Sequence, residues 1–289
     1  MTDPILGAAI AKAASSAAQE SSTAAPKLIQ RVLGPAADEI GAALGRYTER
    51  QLSNVGRVTG AASRKDHAKV DGNVPLRAAM RIVEDASYSE SEIVAEYLSG
   101  VLASAKAPDG EDDRALGWSA LVSRLSSAQL RLHYLLYTAA RGVLNGRTDK
   151  IPGDLCEQHI YMPYSRLLPP LGSADDFPDA LYGLDREELI AEWSYGNSEH
   201  LKVALVGREF PEAGIVYKVT RPGIGLWLWG MGFGREKLMT FVEPSLPAQT
   251  AVVNISLEPG AAVAIEEVPA TGTEGVAEAA PSDVPPDLL

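Results

Sequence analysis

The sequence contains a single cysteine, Cys156, among 289 residues. An intramolecular disulfide and a cysteine-cluster zinc site are therefore excluded. A lone cysteine of this kind reads as a small buried hydrophobe, because free cysteine is among the most buried residue types. Histidine is equally sparse. His67, His133, His159 and His200 are scattered without the spacing of metal ligands, and neither a metal nor a cofactor is expected. His133 falls on or beside the apolar face of its helical stretch and reads as a satisfied core histidine. Long apolar runs are missing too: no stretch reaches the ~18 to 20 residues that span a bilayer. The nearest, 223–233, has 11 residues and four glycines. The start of the chain, interrupted by Asp3 and Lys12 and without a basic leader, does not resemble a secretory signal. These absences predict a cytoplasmic protein without membrane insertion.

Cations are absent from 238–289, where Glu243, Glu258, Glu266, Glu267, Glu274, Glu278, Asp283 and Asp287 supply −8 of the net −12, leaving −4 elsewhere. The acidity belongs largely to the tail, so the total charge is a weak argument against nucleic acid, whose binding rests on cations that displace counterions.

What the sequence does contain is helical periodicity. From Pro35, suited to a first helical turn, Ile40, Leu44, Tyr47, Gln51, Val55, Val58 and Ala62 recur at three- and four-residue steps. They predict one long helix to about Ser63, a packing arm or a surface for homo-oligomerisation. Beyond a polar link, Pro75 opens a short helix expected to turn Leu76, Ala79, Met80 and Val83 inward. Ser89 with Glu92, and Ser126 with Gln129, have the spacing of capping boxes. The first precedes Ile93, Tyr97, Val101 and Leu102. Next comes a helix carrying Leu116, Trp118, Leu121, Val122 and Leu125. The second box precedes Leu130, His133, Tyr134, Tyr137 and Leu144.

Residues 146–177 are rich in proline and glycine and read as a surface excursion. Asp185 to Tyr195 is expected to be a short amphipathic helix with Leu189, Ile190 and Trp193 inward. Residues 198–240 read as helix, turn, strand (Ile215 to Val219) and aromatic helix, the ending of a winged-helix unit. Val252 to Leu257 is a candidate strand. From Pro259 onward the composition cannot offset its ordering entropy and predicts disorder. The expected fold is mostly α, a helical bundle with a long N-terminal helix, a winged-helix-like α+β C-terminal part and a disordered acidic tail. The corresponding divisions are 1–66, 74–145, 146–184, 185–243 and 244–289.

Three stretches resemble the bacterial abortive infection alpha family. They are Val32-Leu33-Gly34-Pro35-Ala36-Ala37-Asp38-Glu39-Ile40-Gly41, then 74–87 (VPLRAAMRIVEDAS) with 95–105 (AEYLSGVLASA), and Leu121-Val122-Ser123-Arg124-Leu125-Ser126. Ser127 and Leu121 depart from the proline and the aromatic common in that family. The resemblance covers roughly 28 to 240. It implies an all-helical body, a role in phage defence in some members, and no catalytic residue to carry over.

No enzyme is expected from the remaining motifs. Gly223, Gly225, Gly230, Gly232 and Gly234 follow a strand but lack dinucleotide-loop spacing, and they read as a glycine-softened helix packing two tryptophans. The neighbours Asp175-Asp176 and Glu187-Glu188 cannot converge on one point of a helix. A serine elbow is absent. The leading expectation is a non-enzymatic defence protein acting through a protein partner. For such a partner, Leu226, Trp227, Trp229 and Phe233 form a possible docking surface if the segment is not core. The alternative is a winged-helix DNA-binding regulator whose phosphate contacts would be Lys202, Arg208, Lys218 and Arg221.

Overall fold

A computed structural model describes residues 47–65, 72–108, 110–148, 150–205, 207–246, 255, 257 and 260–265. The chain divides into two compact units, 1–50 and 51–289. Of the first, only 47–50 are described, and they are helical. The second is mostly helical with a small antiparallel sheet.

Helix α1 is seen over 47–64, so the part of the expected long helix from Pro35 to residue 46 lies outside the described residues. It is followed by α2 (Leu76–Ser87), α3 (Glu92–Ser104), α4 (Ala115–Arg124) and α5 (Ser127–Leu144). Helix α5 is the centre of the core, with Leu130, His133, Tyr134, Tyr137 and Leu144 all buried. Its start is the capping box read from the sequence: Gln129 N donates to Ser126 Oγ, and Ser126 N donates to Gln129 Oε1. The other expected box does not form. Ser91 is the N-cap of α3, and the Ser89 hydroxyl donates instead to the Ser91 carbonyl.

Helix α2 faces the opposite way from the expectation. Ala78, Ile82 and Ala86 are buried, while Leu76, Met80 and Val83 are exposed. Both stripes are apolar at helical spacing, so periodicity does not choose between them. The small alanines allow close packing on α3 and α4, and Asp85 on the inner side accepts a 2.8 Å hydrogen bond from the Ser119 hydroxyl of α4. A deeper charge anchors the end of α1. Lys65 is 3% exposed; its Nζ donates to the carbonyls of Glu96 and Gly230 and contacts Glu96 Oε1 at 2.5 Å. That contact is an ion pair without hydrogen-bond alignment, and Glu96 Oε2 has no hydrogen-bond partner among the described residues. Burial pushes the Lys65 amine down to about 8 against the upward pull of the Glu96 carboxylate.

The expected excursion over 146–184 is structured. It holds α6 (Pro152–Glu157), β1 (His159–Pro163), α7 (Tyr164–Leu171) and most of α8 (Phe177–Arg186). Pro152 and Pro178 stand in first helical turns, where a missing N–H costs nothing, so they start helices instead of breaking them. The expected helix over 185–195 is also corrected. Helix α8 ends at Arg186, Glu188 turns with φ 56°, and Ile190–Gly196 is strand β2.

Helix α9 (Ser198–Ala204), β3 (Gly214–Val219) and α10 (Arg221–Gly230) complete the order, and a 3-10 turn follows at Leu238–Val242. Residues 263–265 form β4, within the stretch expected to be disordered, where they pair with the free side of β1. The strand expected at 252–257 lies almost wholly outside the described residues. The sheet runs β2-β3-β1-β4, antiparallel throughout. One face meets α5, where the Tyr217 hydroxyl donates to the Leu136 carbonyl. The other is covered by a small cluster of Tyr161, Leu201, Phe210, Val216 and Ile265. No described helix is long and apolar enough to cross a membrane.

Candidate functional site

The four cations expected to contact phosphate do not form a free basic surface. Lys202 on α9 is held at 2.5 Å by Glu209. Lys218 on β3 is 6% exposed and lies between Glu157 at 3.0 Å and Glu192 at 2.8 Å. Arg208 is engaged in its own interactions. Arg221, the first residue of α10, is exposed. Helix α9 has seven residues and connects two strands that pair directly with each other.

The aromatic segment belongs to the core. Leu226, Trp227, Trp229 and Phe233 are all buried, so none of them offers a docking surface. Trp229 stacks on Trp118 at 6.1 Å, and Trp227 meets Phe241 edge-on at 5.4 Å with the Arg141 guanidinium over its face. Arg141 in turn donates to the carbonyls of Phe241, Glu243 and Leu246, tying the chain after α10 to α5. The glycine series serves this packing. A side-chain carbon on Gly225 would strike Trp118, and one on Gly234 would strike Trp229.

His133 is buried between two partners. Its Nε2 lies 3.1 Å from the Gly223 carbonyl, which can only accept, so Nε2 carries the proton and Nδ1 accepts from the Tyr97 hydroxyl at 2.6 Å. The ring also stacks on Tyr137 at 4.3 Å. Burial drives its pKa down to about 3, with the Gly223 carbonyl pulling weakly the other way. A neutral imidazole sealed in this way shuttles no proton to a substrate; it joins α3, α5 and α10. Its folded pKa is below the unfolded value of about 6.5, so the unfolded state takes up the proton first as pH falls. The stability it contributes is complete above about 6.5 and declines towards pH 3. We expect wild-type protein to lose ~2 kcal/mol more than His133→Gln between pH 7 and 5, read from urea midpoints at both pH values. Parallel curves for the two proteins would contradict this assignment.

Three further features among the described residues carry groups capable of chemistry. Cys156 is half-buried against the core, and burial raises its thiol pKa. Ser194 Oγ lies 3.3 Å from His200 Nε2 in an exposed pair, but no carboxylate orients the ring among the described residues. An open cleft of about 460 Å³ is lined by Arg147, Lys150, Asp154, Glu157 and Gln158, in which charges of both signs are mixed. No group of three potential metal ligands converges among the described residues.

Among the described residues, the outer face of α2 carries an exposed apolar stripe. Leu76 is 77% exposed and Met80 65%, with Val83 completing the i, i+4, i+7 stripe. Arg77, Arg81 and Glu84 are exposed alongside it. No protein-family model, curated protein or solved structure matches the chain.

Proposed function

We propose that the chain is a non-catalytic protein that works by docking another protein chain on the outer face of α2. The supporting observation is the exposed stripe of Leu76, Met80 and Val83 on a helix whose opposite face is already packed. Apolar residues scattered singly on a surface are ordinary, whereas an aligned stripe marks an interaction site. We further propose a role of the abortive-infection type in bacterial phage defence, on the resemblance carried by 32–41, 74–105 and 121–126. The cytoplasm is the compartment this role requires.

The test is a plaquing assay in a bacterial host expressing the chain. Wild type should lower phage plating, and Met80→Glu should abolish the effect without lowering the melting temperature. Equal plating with and without the wild-type protein would overturn the defence role. Protection retained by Met80→Glu would overturn the docking face.

A further inference from the structure

We infer that the occupant of the α2 face is a second copy of this chain, packed antiparallel about Met80; this rests on the reading of α2 as a docking face. The argument is electrostatic. Along the exposed side of α2 the cations come first, Arg77 and Arg81, and the exposed anion, Glu84, comes near the end. The first turn contains no acid and the last turn no base. That order opposes the helix dipole, which favours acids at the start and bases at the end. The helix thus carries a charge pattern that is unfavourable in isolation.

An antiparallel copy resolves the conflict. With a two-fold axis at Met80, the two Met80 side chains meet and Leu76 faces Val83 of the other copy. Arg77 then comes within reach of the other copy's Glu84, and the same pair recurs on the far side of the axis. Among the described residues, Arg81 is the cation that pairs within the helix, with Asp85 at 3.1 Å and Glu84 at 3.8 Å, and Arg77 has no such charged partner in its own chain. Among the described residues, the one ion-pair contact of Glu84 is at 3.8 Å with Arg81, on side chains that are 64% and 46% exposed. The basic half, the apolar centre and the acidic half are therefore self-complementary in one orientation only. A face of three apolar side chains is well below the ~800 Å² per partner of a standard interface, so the dimer dissociates on dilution.

Sedimentation velocity over a concentration series tests this directly. Wild type should pass from monomer to dimer as concentration rises. Arg77→Glu and Glu84→Arg should each remain monomeric, because each places like charges together twice. An equimolar mixture of the two variants should regain the dimer, since one supplies Glu at both positions and the other Arg. Arg77→Glu also adds an acid to the first turn, so its melting temperature should not fall, which separates lost docking from lost folding. A wild type that stays monomeric throughout, or a mixture that does not associate, overturns the second copy as occupant. If Met80→Glu still abolishes protection in that event, the docking face stands with a different partner; if it does not, both readings fall.

Discussion

Lys65→Ala should lower the stability by ~3 to 5 kcal/mol, the usual effect of removing one member of a buried ion pair. The loss is large because Lys65 has three tasks. It is the only cation paired with the fully buried Glu96 among the described residues, and it donates to the carbonyls of Glu96 and Gly230. The Gly230 carbonyl lies at the C-terminal end of α10, where the helix leaves its last acceptors unpaired and a cation is favoured. Removing the amine therefore strands a carboxylate and a helix terminus together. Lys65→Met/Glu96→Leu should recover part of the loss, since the stranded charge disappears while the Gly230 carbonyl still lacks its donor. Urea unfolding of wild type, Lys65→Met, Glu96→Leu and the double variant forms a closed cycle, and strictly additive effects would show that the pair is not coupled.

Gly100→Ala should cost at least ~3 kcal/mol, at the upper end of overpacking penalties, because the obstruction is backbone. A side-chain carbon on Gly100 would lie 1.7 Å from the Gly230 carbonyl oxygen, with the Trp229 carbonyl oxygen 2.7 Å away. Helices α3 and α10 touch main chain to main chain here, and neither can yield without moving a whole element. A melting temperature ~6 to 12 °C lower is expected for a unit of this size. Gly117→Ala on α4 is the control: nothing lies within 4 Å of the added carbon, and the substitution should stabilise by ~0.5 to 1 kcal/mol. If both alanines behave alike, α3 and α10 do not approach this closely.

Much of the helical body is legible in the sequence, for local reasons. The Ser126–Gln129 box states its own geometry, and five inward residues of α5 follow from its start. His133 as a core histidine and the burial of Trp227 and Trp229 follow from apolar surroundings that surface helices do not have. The errors share another cause. Helix α2 presents two apolar stripes, and the choice between them is made by packing on other helices, where Ser119 meets Asp85. Residues 190–196 pass as an amphipathic helix until β3 offers a ladder, and three residues of an acidic tail become β4 only because β1 has a free side. Pro152 and Pro178 are informative as helix starts, a role that depends on whether the residues after each one can continue a turn, whereas Pro169 and Pro170 stand inside α7. The α2 face is invisible for a related reason, since turning Leu76 and Met80 inward removes it.

The Lys65 contact also orders events in time. Its acceptor at Gly230 is 165 residues further along the chain. At ~5 to 20 residues per second, a ribosome delivers that acceptor roughly ten to thirty seconds after the lysine itself. A large apolar residue at 65 would spend that interval exposed and adhesive. An ammonium group waits in water without attracting neighbours, and it surrenders its hydration only when α10 arrives to receive it.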